Sequence, residues 1–343
     1  MEEARLTLSI ISAILNHMAA PSSPTIGAVH FNLDDLKVNL VGSPHVDVDP
    51  EDDPTFGVIL ERIRNLLNQR RIKATFFTIG RNLRSLKSCE AIQALSNEGH
   101  EIANHSTTHP YDLRRLSTDA IREEIVFFNK LCEECNLPRA VGFTAPGWNI
   151  DKKILKILIE NGYKYDCSIF PSFFKGLASI YLWFFSGMQP HLWMIGGGEM
   201  LRPFTKRNSY LYQTKEGSIR LFPFPCTTFF RIPIYHTMFL MLRSPSLLKI
   251  VLKRFQATGR SLLYLFHPLD FLDPENDFKH NKSLINTLPR GNVPFKERMH
   301  LAELALDFIA ANYHTDTLAN IADRLHAETT TRENVPTKGM RPV

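Results

Sequence analysis

The chain has 343 residues, 44% hydrophobic and 22% charged. That balance excludes a disordered or low-complexity protein and is enough to bury a sizeable core. The formal net charge is only +5. The longest apolar stretch after the N-terminus, Phe173 to Met188, carries Lys175 and falls short of the roughly 20 residues that a membrane-spanning helix needs.

Residues 1–25 open with an apolar run, Leu6 to Leu15, behind Glu2 and Glu3. A secretory signal needs a basic flank there, so the segment reads as an apolar helix or extension. From Ile26 short apolar runs alternate with helical periods. IGAVHFNL (26–33) is strand-like, and Phe56, Ile59, Leu60, Ile63, Leu66 and Leu67 follow at helical spacing. IKATFFTIG (72–80) predicts the next strand, Cys89 to Asn97 a helix that Gly99 stops, and EIANH (101–105) a third strand. Ser117 caps a predicted helix whose apolar face runs Ile121, Ile125, Phe128, Leu131 and Cys132.

RAVGFTAP, a helix over 151–161, YKYDCSI, SIRLFPFP, a helix over 246–257 and SLLYLFHP continue the alternation, and 326–343 reads as a polar tail. Strands separated by crossover helices predict an α/β parallel sheet, and this many units predict a barrel over residues 26–325. Chemistry then belongs at the C-terminal strand ends, where Asp34, Asp35, His105, Thr144 to Trp148 and His267 fall.

Five cysteines (Cys89, Cys132, Cys135, Cys167 and Cys226) are a sparse and odd set. No disulfide framework is expected, and a reducing, cytoplasmic setting follows. Cys132 and Cys135 have redox-motif spacing, but they end an amphipathic helix and lack the second pair a zinc site requires.

Between Arg202 and Arg260 stand eleven Lys or Arg against one acid, Glu216, and 17 of the chain's 36 aromatic residues lie between Ser168 and Phe239. This aromatic and basic insertion, about 168–240, is expected to cover the barrel. Its charge also suits an anionic membrane surface or a phosphate-bearing sugar. Aliphatic runs share the segment and no nucleic-acid motif appears, so no nucleic-acid partner is expected.

His105 and His109 stand four apart in HSTTH, a spacing that lets both imidazoles share one divalent cation. With a carboxylate from Asp34 or Asp35 they make a zinc-type set with a position left for water and substrate. On these residues the chain resembles the polysaccharide deacetylase family (NodB-homology, carbohydrate esterase family 4). NLDD (32–35), HSTTH (105–109), FTAPG (143–147), YDCS (165–168) and LFHP (265–268) follow that family's motifs in order.

The resemblance implies a distorted seven-stranded (β/α) barrel and metal-dependent hydrolysis of an N-acyl group from an amino-sugar glycan or a polyprenyl-linked glycolipid. It implies Asp34 as general base, His267 as general acid, and Asp35, His105 and His109 as ligands of a divalent ion, expected to be zinc. Thr144, Pro146, Gly147 and Trp148 would form the groove wall. Leu265 would line the acyl pocket, and a backbone N–H near Tyr111 would face the oxyanion.

Two departures stand against the family pattern. Thr144 occupies the position of an Arg that holds the base. In a D-x-D register, with both side chains on one strand face, Asn32 takes the base position and Asp34 becomes the ligand. An asparagine accepts no proton, so the alternative reading is a catalytically impaired barrel that binds glycan. A hydrolase of non-sugar amides is the third.

Overall fold

The computed structural model describes residues 25–39, 53–172, 205–277 and 293–333. The N-terminal apolar run and the densest part of the aromatic segment, Ser179 to Gly198, lie outside them. Nine strands share one sheet: β1 Thr25–Leu33, β2 Thr75–Thr78, β3 Glu101–Asn104, β4 Gly142–Phe143, β5 Tyr165–Asp166, β6 Tyr210–Thr214, β7 Gly217–Leu221, β8 Leu262–Phe266 and β9 Tyr313–Thr315. The order is β6-β7-β5-β4-β3-β2-β1-β8, with β9 beside the start of β1.

The seven strands from β7 to β8 are mutually parallel, as the βαβ alternation predicts. Two strands, β6 and β9, were not foreseen. The β6–β7 hairpin is antiparallel and forms one edge, and β8 forms the other, so among the described residues the sheet is an open half-barrel.

Among the described residues eight helices longer than one turn flank it: α1 Val58–Gln69, α2 Leu86–Asn97, α3 Thr118–Glu134, α4 Lys152–Glu160, α5 His236–Leu242, α6 Pro245–Gln256, α7 Phe295–Asn312 and α8 Leu318–Glu333. None is long and apolar enough to cross a membrane. Local chemistry sets their starts. The Ser85, Ser117, Asp151 and Ser244 side chains each accept a backbone N–H three residues on. The predicted boundary at His326 is corrected, because α8 runs on to Glu333. Leu318, Ile321 and Ala322 give it a buried stripe at helical spacing.

Strand alternation sorts the core into two faces. Val29, Phe31, Leu33, Phe76, Tyr264 and Phe266 pack outward under the helices. Ala28, Phe77, Ala103 and Leu263 fill the inside of the barrel. Tyr165 also fills the interior, its hydroxyl donating to Glu101 at 2.7 Å. A side chain at Gly142 would collide with that tyrosine ring. Gly142→Ala is therefore expected to cost about 3 kcal/mol, the upper range for overpacking, read as a lowered urea midpoint with unchanged m-value.

The cysteine expectation needs correction. Cys89 on α2 is bonded to Cys135 at the end of α3, across 46 residues of chain. Cys132, Cys167 and Cys226 are free and buried, and burial pushes the Cys132 thiol up to about 12. The spacing Cys132–Cys135 therefore does not mark a redox pair. Fold proximity chose Cys89 as the partner.

Candidate metal centre

The C-terminal strand ends converge on one buried cluster. Asp34 Oδ1, just past β1, lies 3.4 Å from His105 Nε2 and 3.8 Å from His109 Nε2. Donor atoms of the three residues all fall within 4.8 Å of one another. Two ligands each about 2.1 Å from a tetrahedral ion stand about 3.4 Å apart, so these spacings fit one small divalent cation. Asp34 Oδ1 is also buried without a hydrogen-bond partner, which is costly unless something else satisfies it.

Protonation suits the same use. Burial pushes the Asp34 carboxyl up, but the neighbouring His105, His109 and His267 outweigh it and hold it below the usual carboxylate range. Burial pushes His109 down to about 3, only partly offset by Asp34. An ionised carboxylate and a neutral imidazole are the forms a metal requires.

The histidine loop is built by its own sequence and by one distant helix. Asn104 Oδ1 accepts from the Ser106 N–H at 2.7 Å, and Ser106 Oγ accepts from the His109 N–H at 3.0 Å. Glu124 on α3 accepts from the N–H groups of Thr107 and Thr108 at 2.9 and 2.8 Å. Ser106 (φ 63°) and His109 (φ 65°) are held in the left-handed region. That strain is typical of functional loops whose surroundings over-determine them. His105 Nδ1 lies 2.7 Å from the Thr144 carbonyl, an arrangement that puts the proton on Nδ1 and leaves Nε2 for an ion. Thr144 thus contributes through its backbone, whatever side chain it carries.

Asp35, expected as a ligand, is not part of the cluster. Its Oδ1 accepts from the Val38 N–H at 2.8 Å, starting a one-turn helix (Leu36–Asn39), and its Oδ2 accepts from Arg81 at 2.7 Å. Arg81 also donates to the Thr108 carbonyl at 2.6 Å, so Asp35 and Arg81 tie the β1 end to the histidine loop. This is the placement that a D-x-D register gives, with Asp34 facing the histidines. Asn32 shares the inward strand face with Asp34 and is buried. Asp34, expected as general base, sits among the ligand atoms instead.

Across β1, the pairing of Phe31 with Phe266 sets the following residues, Asn32 and His267, side by side. The Thr237 hydroxyl lies 3.3 Å from His267 Nδ1 and donates to Asp270 at 3.2 Å. Asp270 Oδ2 accepts the His267 N–H at 2.8 Å. With its own proton on Asp270, the hydroxyl accepts from Nδ1–H and leaves His267 Nε2 for the site. His30, two residues below Asn32, faces Phe77 edge-on at 5.8 Å between ring centres. Burial, with the nearby His267, pushes it down to about 3.

The predicted groove wall is a short 3-10 turn, Pro146–Trp148, with Gly147 (φ 58°) and Trp148 (φ 56°) left-handed. Trp148 packs tilted on Phe170 and edge-on to Phe224, with ring centres 4.9 and 5.7 Å away. Leu265 is fully buried in the same cluster. The Tyr111 ring packs on His109 at 4.7 Å between ring centres, and its carbonyl accepts from Asn149 at 2.8 Å. Sequence reasoning missed Arg81, Glu124, Thr237 and Asp270. Only Asp270 left a local signal, an acid three residues past His267 at a helix start.

Residues 51–165 match the family model described as polysaccharide deacetylase. A peptidoglycan-N-acetylglucosamine deacetylase of Bacillus cereus is 31% identical over 123 residues, 35% of this chain and 53% of that protein. The uncharacterized protein YlxY of Bacillus subtilis is 31% identical over 101 residues, 29% of this chain and 31% of its own. The aligned part thus spans 53% of the first of those relatives and 31% of the second. A Mycobacterium smegmatis structure assigned as a polysaccharide deacetylase superposes with a TM-score of 0.55 at 18% identity, over 94% of this chain and 96% of that one, and so shares the fold. Residues 51–165 thus match a polysaccharide deacetylase domain, and the sheet around them has the fold of that Mycobacterium smegmatis structure.

Proposed function

We propose that this protein removes the N-acetyl group from an amino-sugar glycan, using a divalent ion held by Asp34, His105 and His109. The convergence of those three donors opposite His267 carries the reading. The ion's contribution is to polarise the amide carbonyl and acidify the attacking water. The remaining work falls to this chain's side chains. His267, protonated on both ring nitrogens, would give its Nε2 proton to the leaving amine and recover it from solvent. Thr237, itself bonded to Asp270, orients that ring through Nδ1. Trp148, Phe170 and Phe224 offer an apolar wall against which a sugar face and its acyl group pack.

Zinc is the ion we propose from the donor types, and a sugar carried on a lipid phosphate is the finer form of the substrate. Asn32 favours a second reading, glycan binding with turnover impaired for want of a proton acceptor. Acetate release from N-acetylated chitooligosaccharides and peptidoglycan, by ion-loaded and chelated protein, tests both. Release that stops on chelation and returns with the ion is the expected result. Binding of these glycans without any acetate would establish the second reading.

A further inference from the structure

Beyond β7 the chain forms a short finger at the C-terminal end of the sheet, the end that carries Asp34, His105 and His267. Its neck is tightly paired. Cys226 and Pro233 form an antiparallel bridge, and the Thr227 N–H donates to the Ile232 carbonyl at 2.9 Å. The Ile232 N–H returns a bond to Thr227 Oγ1 at 3.0 Å. Cys226 and Ile234 root it in the core. The tip is Thr228, Phe229, Phe230 and Arg231, with Arg231 in the left-handed region at φ 49°.

Phe229 is 89% exposed and Phe230 76%. Two adjacent phenylalanines standing in water on a braced support are unfavourable for a molecule that meets only solvent. The collar beneath them is positive. Arg207 donates to the Thr228 carbonyl at 2.8 Å, Arg231 to the Thr205 carbonyl at 3.0 Å, and Arg260 to the Cys226 carbonyl at 3.0 Å. Burial lowers the Arg260 pKa, and the charges of Arg207 and Arg231 lower it further, so the three guanidinium groups crowd one another. Among the described residues their hydrogen-bond partners are carbonyl and amide oxygens and the Cys226 side chain, and no carboxylate pairs with them.

We propose that this finger docks on an anionic bilayer, with Phe229 and Phe230 entering the acyl boundary and Arg207 and Arg231 meeting lipid phosphates. A phenyl ring brings no hydrogen-bonding atom, which suits acyl chains better than the hydroxyl-rich edge of a sugar. The basic collar supplies the attraction that an anionic leaflet exerts on surface cations. Because the finger and the ion cluster share one end of the sheet, docking turns the site towards the membrane. Docking itself does not rest on the deacetylase reading.

Full-length protein is spun with vesicles of equal parts phosphatidylglycerol and phosphatidylcholine, and with pure phosphatidylcholine vesicles, at low and high salt. Wild type should pellet with the anionic vesicles, less so at high salt and little with the neutral ones. The double variant Phe229→Ser, Phe230→Ser should bind at least about tenfold more weakly, with its melting temperature unchanged because both rings are exposed. Absence of binding to anionic vesicles by folded wild type overturns the proposal, as does equal binding by the variant. Loss of binding to insoluble peptidoglycan alone would also overturn it, by making the finger a glycan contact.

Discussion

Asp34→Asn is expected to strip the divalent ion from the protein, while Asp35→Asn is expected to keep it. Adjacent residues of the same type thus part company because of geometry. Asp34 presents Oδ1 to His105 Nε2 at 3.4 Å, whereas both Asp35 oxygens are engaged by Val38 and Arg81. Removing a direct ligand should weaken ion affinity by more than the 10–100-fold that loss of a supporting partner causes. Elemental analysis after gel filtration should show about one ion per chain in wild type and Asp35→Asn, and none in Asp34→Asn.

Asp35→Asn should instead lower unfolding stability by about 1–2 kcal/mol through the lost charge-assisted bond from Arg81. His105→Ala should join Asp34→Asn in losing the ion. It should also lower stability by about 1–3 kcal/mol, since the Thr144 carbonyl is left unpaired in a buried place. Retention of the ion by Asp34→Asn would return the ligand role to Asp35 and refute the D-x-D register.

Asn32→Asp is expected to raise turnover about 100-fold, the lower end of what a positioned acid or base contributes. Asn32 lies on the strand face of Asp34 and beside His267, where a carboxylate would receive the proton of the attacking water. Asn and Asp are nearly isosteric, so the fold should survive. Steady-state acetate release by ion-loaded wild type and variant is the comparison. Equal rates would mean that another group already takes the proton. An increase from an undetectable wild-type rate would show that position 32 is where the base is missing. Thr144 is consistent with this, since an arginine that orients a base has nothing to hold when the base is asparagine.

The sequence by itself determined the α/β alternation, the Ser117 cap and the histidine pair. These depend on near neighbours: periods of 2 and 3.6, a hydroxyl before a helix, and glycines past helix ends. The seven parallel strands followed from the same periodicity. Only the tertiary structure put Asp34 and not Asp35 beside the histidines, because that placement turns on where β1 stops. The strand alternation carries Asn32 and Asp34 to one face, and the turn that follows sends Asp35 to Arg81. It likewise decided the Cys89–Cys135 bond, the open edge at β6–β7 and the partners Glu124 and Thr237. Each of these is a contact between segments far apart in the chain, where spacing along the sequence carries no distance in space.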